Sequence, residues 1–190
     1  MGINYQKGRI IIISGPSGVG KGTIIRELSK KMMIHLSVSA TTRLPRAGEI
    51  NGDDYFFLSP VDFEEKIRSQ GFLEWAQVHG HYYGTLKSEV NRLLSQGEDI
   101  LLEIDVQGAR IVMESDYPVV SIFLVPPSMD TLKERLVKRS TDSIENIEKR
   151  LKRAEVEMFE QSHYTRVVRN DTVEQSVHQV KLIIENREIK

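Results

Sequence analysis

Residues 10–21 constrain this chain more than any others. Four β-branched residues, Ile10-Ile11-Ile12-Ile13, run into Ser14 and then into Gly15-Pro16-Ser17-Gly18-Val19-Gly20-Lys21. An unbroken run of that kind, bounded by glycine and proline, predicts a strand buried on both faces, as in a parallel sheet. Beyond the glycines, Ile24, Ile25 and Leu28 fall on one side while Arg26, Glu27, Lys30 and Lys31 fall on others, which predicts a helix from Thr23 to about Lys31. A glycine-rich segment ending in lysine between strand and helix lets successive backbone N–H groups turn inward around phosphate oxygens. The positive end of the helix dipole and the lysine charge add to the attraction. Gly22 stands where this pattern usually carries a Ser or Thr hydroxyl for Mg²⁺, and Thr23 follows one residue later, so the metal's protein ligand is left open.

Further along, strands and helices alternate. Ile34–Ser39 and Tyr55–Leu58 read as strands, Arg43–Asp54 as a loop, and Pro60–Ser69 as a helix with proper start chemistry. Phe72–Tyr83 carries aromatic and β-branched residues in two strands around Gly80, so the stretch from about Ile34 to Lys87 is a strand-rich insertion. A helix over Leu86–Gln96, stopped by Gly97, precedes a second buried strand, Ile100–Asp105, and a third over Val119–Val125. Helices over Met129–Lys138 and Ile144 to about Gln161, a short strand at Val167-Val168 and a last helix over Thr172–Glu188 complete the chain. This order implies an α/β fold with a mostly parallel sheet.

Composition narrows the chemistry. With 26 basic and 27 acidic side chains the formal net charge is -1, so no bulk field draws the protein to nucleic acid or to anionic lipid, and any bound anion must meet a local cluster. There is no cysteine, and the five histidines lack metal-ligand spacing. No apolar stretch approaches the length that spans a bilayer, and Ile10–Ile13 is too short for a leader core, so the expectation is a soluble cytoplasmic protein.

A second anion site is suggested by Ser39-Ala40-Thr41-Thr42-Arg43-Leu44-Pro45-Arg46-Ala47-Gly48-Glu49, where two guanidinium forks lie three residues apart in a loop. This segment resembles the acceptor loop of guanylate kinases. So do Asn51-Gly52-Asp53-Asp54-Tyr55, Phe72-Leu73-Glu74-Trp75-Ala76, Tyr82-Tyr83-Gly84-Thr85 and Ile104-Asp105-Val106-Gln107-Gly108, in the expected order from the glycine loop to Val168-Arg169-Asn170-Asp171. The resemblance implies a P-loop NTPase core with an inserted strand-rich lobe that binds a nucleoside monophosphate and a helical lid: core 1–33, 88–134 and 156–190, lobe 34–87, lid 135–155. It implies Mg²⁺-dependent transfer of the terminal phosphoryl group of ATP to GMP, with dGMP as an alternative acceptor. Gly15, Pro16, Ser17, Gly18, Val19, Gly20, Lys21, Gly22, Thr23 and Asn170 would then bind ATP. Arg43, Arg46, Tyr55 and Tyr83 would hold the GMP phosphate, while Ser39, Glu74, Thr85 and Asp105 would surround the guanine.

The chemistry of guanine agrees, since its N1–H and exocyclic amino group are donors that a carboxylate such as Glu74 accepts together, whereas adenine would leave buried acceptors unpaired. Asp105, at the acidic end of a strand with Glu103, is equally placed to orient Mg²⁺ or its water shell, as is Thr23. Arg135, Arg139 and Arg150 match lid arginines of the family and join Lys21 and Arg43 as catalytic candidates, with Ser140-Thr141-Asp142-Ser143 as a hinge. Lys133, Lys138, Lys149, Lys152 and Arg153 read as solvated helix faces. Two other readings share parts of this pattern: a kinase for a different nucleoside monophosphate, and a binding module that does no chemistry.

Overall fold

The isoleucines at positions 10–13 have no exposed surface, and they form β1 (Ile10–Ser14). The structure, a computed structural model, describes residues 8–78, 80–139 and 144–187. β1 belongs to a five-stranded sheet with β2 (His35–Leu36), β7 (Ile100–Glu103), β8 (Val119–Val125) and β9 (Arg166–Arg169), in the order β2-β7-β1-β8-β9. β2 pairs parallel with β7, and β8 parallel with β9. Ile100, Leu101 and Leu102 are buried throughout, as are Ile122, Phe123 and Leu124, which is the pattern of strands covered on both faces.

Helix α1 (Lys21–Ser29) buries Ile24, Ile25 and Leu28. The last helix, α7 (Val173–Glu185), begins one residue later than the sequence predicts, because Thr172 is its cap: the Thr172 hydroxyl accepts from the Gln175 N–H at 3.3 Å. α5 (Met129–Arg139) and α6 (Ile144–Met158) share a small core of Leu132, Leu136, Ile147 and Ala154, and a 3-10 turn, Phe159–His163, follows α6. The link Ser140-Thr141-Asp142-Ser143 between them lies outside the described residues, as does the Arg139 side chain.

The insertion forms a second sheet of β4 (Phe56–Phe57), β3 (Ala40–Thr41), β6 (His81–Leu86) and β5 (Phe72–Val78), in the order β4-β3-β6-β5. Against it lies α2 (Pro60–Arg68), started by Ser59, whose hydroxyl accepts from the Asp62 N–H, and by a proline in the first turn. Phe63 of α2 is fully buried, stacked at 4.2 Å on Phe72 and 5.3 Å on Tyr82. Between Phe72 and Glu74 the hairpin register shifts, so that Phe72 faces Leu86 while Glu74, not Leu73, faces Thr85. α3 (Lys87–Ser95) follows β6 directly.

Two strands that flank the site also differ from expectation. The strand predicted over Ile34–Ser39 is reduced to the two residues of β2, both exposed at the sheet edge. The strand predicted to reach Asp105 ends at Glu103, and Asp105 instead starts α4 (Val106–Met113), its Oδ1 accepting from the N–H groups of Gln107 at 3.0 Å and Gly108 at 2.9 Å. The chain divides into two units: one is the segment ending at Ile10 with His35–Leu102 and Arg110–Val119, the other Ile11–Ile34, Glu103–Ala109 and everything from Val120 onward. Among the described residues no helix is long and apolar enough to cross a membrane.

Phe63 anchors the insertion, so Phe63→Ala is expected to cost about 3–5 kcal/mol by removing a buried ring. Urea unfolding of the purified chain checks this, and a loss below about 1 kcal/mol would mean that the ring is not the anchor.

Candidate active site

In the unit that holds α1, the glycine loop is set by sterics at both ends. At Gly15 φ is +143°, and a Cβ there would run into the Leu124 carbonyl oxygen of β8. At Gly20 φ is +107°, and a Cβ would lie 2.8 Å from the Asn170 amide nitrogen. Only glycine satisfies either position. Gly20 caps α1 without a side-chain acceptor, so the first amides of the helix are suited to a bound anion.

The carbonyl groups of this loop are held from outside it. Lys21 Nζ donates to Gly15 O at 2.7 Å and Pro16 O at 3.3 Å. Val19 O accepts from Asn170 Nδ2 at 2.7 Å and from Arg135 Nη1 at 3.1 Å, while Arg135 Nη2 donates to Asn170 O at 3.2 Å. Asn170 is buried, and its Oδ1 accepts from the Ser176 hydroxyl at 3.0 Å. Arg150 Nη2 donates to Ser17 Oγ at 2.8 Å. Lys21, Arg135 and Arg150 are thus gathered on one loop. Beside it opens a cleft of about 240 Å³ lined by Gly18, Gly20, Thr23, Arg135, Lys138, Asn170 and Val173.

The Glu103 carboxylate lies over the first turn of α1, since a Cβ on Gly22 would sit 3.7 and 3.8 Å from its oxygens. Asp105 makes an ion pair of 3.6 Å with Arg153, which also donates to the buried Glu157 at 2.8 Å. Among the described residues no cluster of three acidic or histidine side chains could cage a metal ion.

The other unit holds the second anion-binding candidate. The Thr41 hydroxyl donates to Tyr82 O at 2.9 Å and accepts from the Arg43 N–H at 3.1 Å, which splices the start of the loop onto β6. Arg43 is gripped by Glu49, Nη1 to Oε2 at 2.9 Å and Nη2 to Oε1 at 2.8 Å, and its guanidinium carbon lies 5.3 Å from the Tyr55 ring and 5.8 Å from Phe57. Tyr55 meets Tyr83 edge to face at 6.1 Å. Arg46 is exposed, with its N–H donating to Glu49 Oε2 at 2.7 Å. Glu74 and Thr85 are buried opposite one another, the Thr85 hydroxyl donating to Glu74 Oε1 at 2.6 Å. Ser39, half-buried, precedes β3 and accepts at its carbonyl from the Phe56 N–H.

Residues 7–187 match the family model described as Guanylate kinase. A guanylate kinase of Clostridium tetani is 48% identical over 179 residues, covering 94% of this chain and 86% of that protein. One from Caldanaerobacter subterraneus is 49% identical over 180 residues, with 94% and 87% covered. The crystal structure of the guanylate kinase from Anaplasma phagocytophilum superposes with a TM-score of 0.76 at 32% identity, covering 97% of this chain and 88% of that one. The chain belongs to the guanylate kinase family.

Several polar partners escape a reading of the sequence. Arg153 is exposed, as a solvated helix face predicts, and it also bridges Asp105 and Glu157. Glu157 carried its own signal, an acid four residues after an arginine on one helix. Glu49 lies in the same loop as Arg43 and grips it, a contact that the loop's sequence does not announce. The Asn170–Val19 bond joins residues 151 apart, and no local pattern announces it.

Two predictions follow from these bonds. Asn170→Ala leaves the Val19 carbonyl one donor short and is expected to lower stability by about 1–3 kcal/mol, read by chemical denaturation. The hydrogen bonds from the Arg43 side chain, and then from the Arg46 N–H, hold the Glu49 carboxyl below the ordinary glutamate range. A depressed carboxylate stabilises the fold fully above its unfolded value and loses that contribution as pH falls through the folded one. Carbon-detected NMR titration of Glu49 is therefore expected to give a midpoint below the ordinary glutamate range, and a midpoint within that range would contradict the pairing.

Proposed function

We propose that this chain transfers the terminal phosphoryl group of ATP to GMP, giving ADP and GDP, as a Mg²⁺-dependent enzyme of the cytoplasm. The observation that carries the reading is the Glu74–Thr85 pair, buried at 7% and 1% exposure in a chain of this family. A buried carboxylate beside a hydroxyl suits the adjacent N1–H and amino donors of guanine, and sites built on such bonds reject an analogue that lacks the donors. Ser39 and Asp105 join this pair in the reading of the base.

On the donor side, the loop from Gly15 to Thr23 and the Lys21 ammonium bind the ATP phosphates, and Asn170 holds the loop in shape at the edge of the cleft. Arg135, Arg139 and Arg150 neutralise the charge that spreads over the transferred group. The Arg135 guanidinium has five N–H donors, so its bonds to Val19 O and Asn170 O leave others for phosphate oxygens. On the acceptor side, Arg43, Arg46, Tyr55 and Tyr83 hold the GMP phosphate, whose oxygen is already anionic near neutral pH. No protein nucleophile or dedicated base is required, and positioning supplies the rate. The donor set fits Mg²⁺, which keeps several waters and takes one or two carboxylates plus substrate phosphates. Thr23, Asp105 and Glu103 would hold it, and when bound it supplies charge neutralisation on the phosphate oxygens.

Product formation from ATP with GMP, AMP, CMP or UMP, with Mg²⁺ or with chelator, tests the reading. Strong preference for GMP is expected, and preference for another acceptor would move the chain to a sister specificity. Lys21→Ala is expected to lower kcat by roughly 10²–10³-fold. Glu74→Gln is expected to cut the preference for GMP over AMP by about 10–100-fold, the worth of a hydrogen bond to a charged group. An unchanged preference would remove Glu74 from the base site.

A further inference from the structure

We infer that Glu49 is a positioning residue for the acceptor phosphate: it grips Arg43 by one edge of the guanidinium and so presents the opposite edge to an anion. The inference rests on the reading of Arg43 as a phosphate ligand given above. A guanidinium has five N–H donors in a rigid plane. Here Nη1 donates to Glu49 Oε2 at 2.9 Å and to Leu44 O at 2.7 Å, and Nη2 donates to Glu49 Oε1 at 2.8 Å. The carboxylate therefore takes the end formed by Nη1 and Nη2. The side formed by Nε–H and the second Nη2–H, itself a two-donor fork, is the one that the Tyr83 hydroxyl shares, so that fork and that hydroxyl would meet a phosphate together.

The same carboxylate fixes the rest of the loop. Glu49 Oε2 accepts from the Arg46 N–H at 2.7 Å, and the Glu49 N–H donates to Arg46 O at 3.1 Å. One side chain thus sets both the Arg43 fork and the backbone from which Arg46 projects. The pair differs from the ion pairs on the helix surfaces: the side chains of Arg43 and Glu49 are only 13% and 19% exposed, against 61% and 67% for Arg68 and Glu65. The rings of Tyr55 and Phe57 lie against the guanidinium and keep it from swinging away.

Simple electrostatics makes the opposite forecast. A negative group beside a phosphate site repels the ligand, so a Glu49 that is only a counter-charge would weaken GMP binding, and removing it would tighten it. A positioning Glu49 gives the reverse sign, because a misaimed fork loses its two-point contact.

The test uses the purified full chain and measures the KM values for GMP and ATP and kcat in Glu49→Gln, Glu49→Asp, Arg43→Ala and the double variant Arg43→Ala with Glu49→Gln. Glu49→Gln keeps the shape but turns an amide N–H toward the guanidinium, and it is expected to raise the GMP KM about 10-fold or more while the ATP KM stays within about twofold. Glu49→Asp keeps the charge and is expected to recover part of the loss. In the Arg43→Ala background the glutamine is expected to add little, since Glu49 acts through Arg43. A GMP KM that falls or stays the same in Glu49→Gln, while Arg43→Ala raises it, overturns this inference and leaves the phosphate assignment of Arg43 intact. An additive double variant also overturns it. An unchanged GMP KM in Arg43→Ala overturns the assignment itself.

Discussion

A loop that turns its amides toward an anion must turn its carbonyl groups the other way, and those carbonyls need donors. The rest of the unit that holds the glycine loop is arranged around this requirement. Val19 O draws on Asn170 and Arg135, 151 and 116 residues away in sequence, while Gly15 O and Pro16 O draw on Lys21. The loop is consequently a joint product of α1, α5 and the residue after β9, and β8 fixes its start by leaving no room for a side chain at Gly15. Asn170 is itself pinned by Ser176 in α7. Its amide therefore serves the shape of the loop, whatever it also offers to a nucleotide in the neighbouring cleft.

In the other unit the constraint is register. Alternation along a strand places Tyr83 and Thr85 on one face of β6, and the pairings Ala76 with Tyr83 and Glu74 with Thr85 bring Glu74 to that same face. The register shift between Phe72 and Glu74 is essential to this. Without the extra residue Leu73 would face Thr85, and a carboxylate and an aliphatic group would exchange places. The shift also accounts for three consecutive buried residues, Phe72, Leu73 and Glu74, in a strand that otherwise alternates poorly with solvent.

Much of this was legible in the sequence, for reasons that differ by element. The isoleucine run and the glycine loop announce β1 and α1 because burial on both faces and close backbone approach each demand particular residues. Ser59-Pro60 and Thr172 announce helix starts through capping chemistry. Helix α4 was not legible: Gly108 interrupts its first turns, and Asp105 looks like the end of a strand until its bonds to Gln107 and Gly108 show it to be a cap. β2 is shorter than its sequence suggests, because Leu36 lies exposed at an edge, where pattern and burial part company. At the site, residue types were readable, but the partners were not. The bulge, the Glu49 grip on Arg43 and the Arg153 bridge all depend on contacts that no periodicity encodes.

Ion pairs illustrate why partners decide the matter. Arg68–Glu65, Arg92–Glu89 and Lys149–Glu145 are surface pairs at the spacing of one helical turn, as is Arg110–Glu114 at the end of α4, and screening by water leaves such exposed pairs with little effect on stability. Low exposure alone does not mark a functional pair either. Arg9 and Asp99 are each 11% exposed, but Asp99 also accepts from the Arg9 backbone N–H, so that carboxylate fastens a side chain to its own main chain. At Arg43 the carboxylate instead reaches the backbone of a second arginine, and aromatic rings line the guanidinium. The same chemical pair therefore closes a structural contact in one place and aims a two-donor fork in the other, and the difference lies in which donors the carboxylate leaves over.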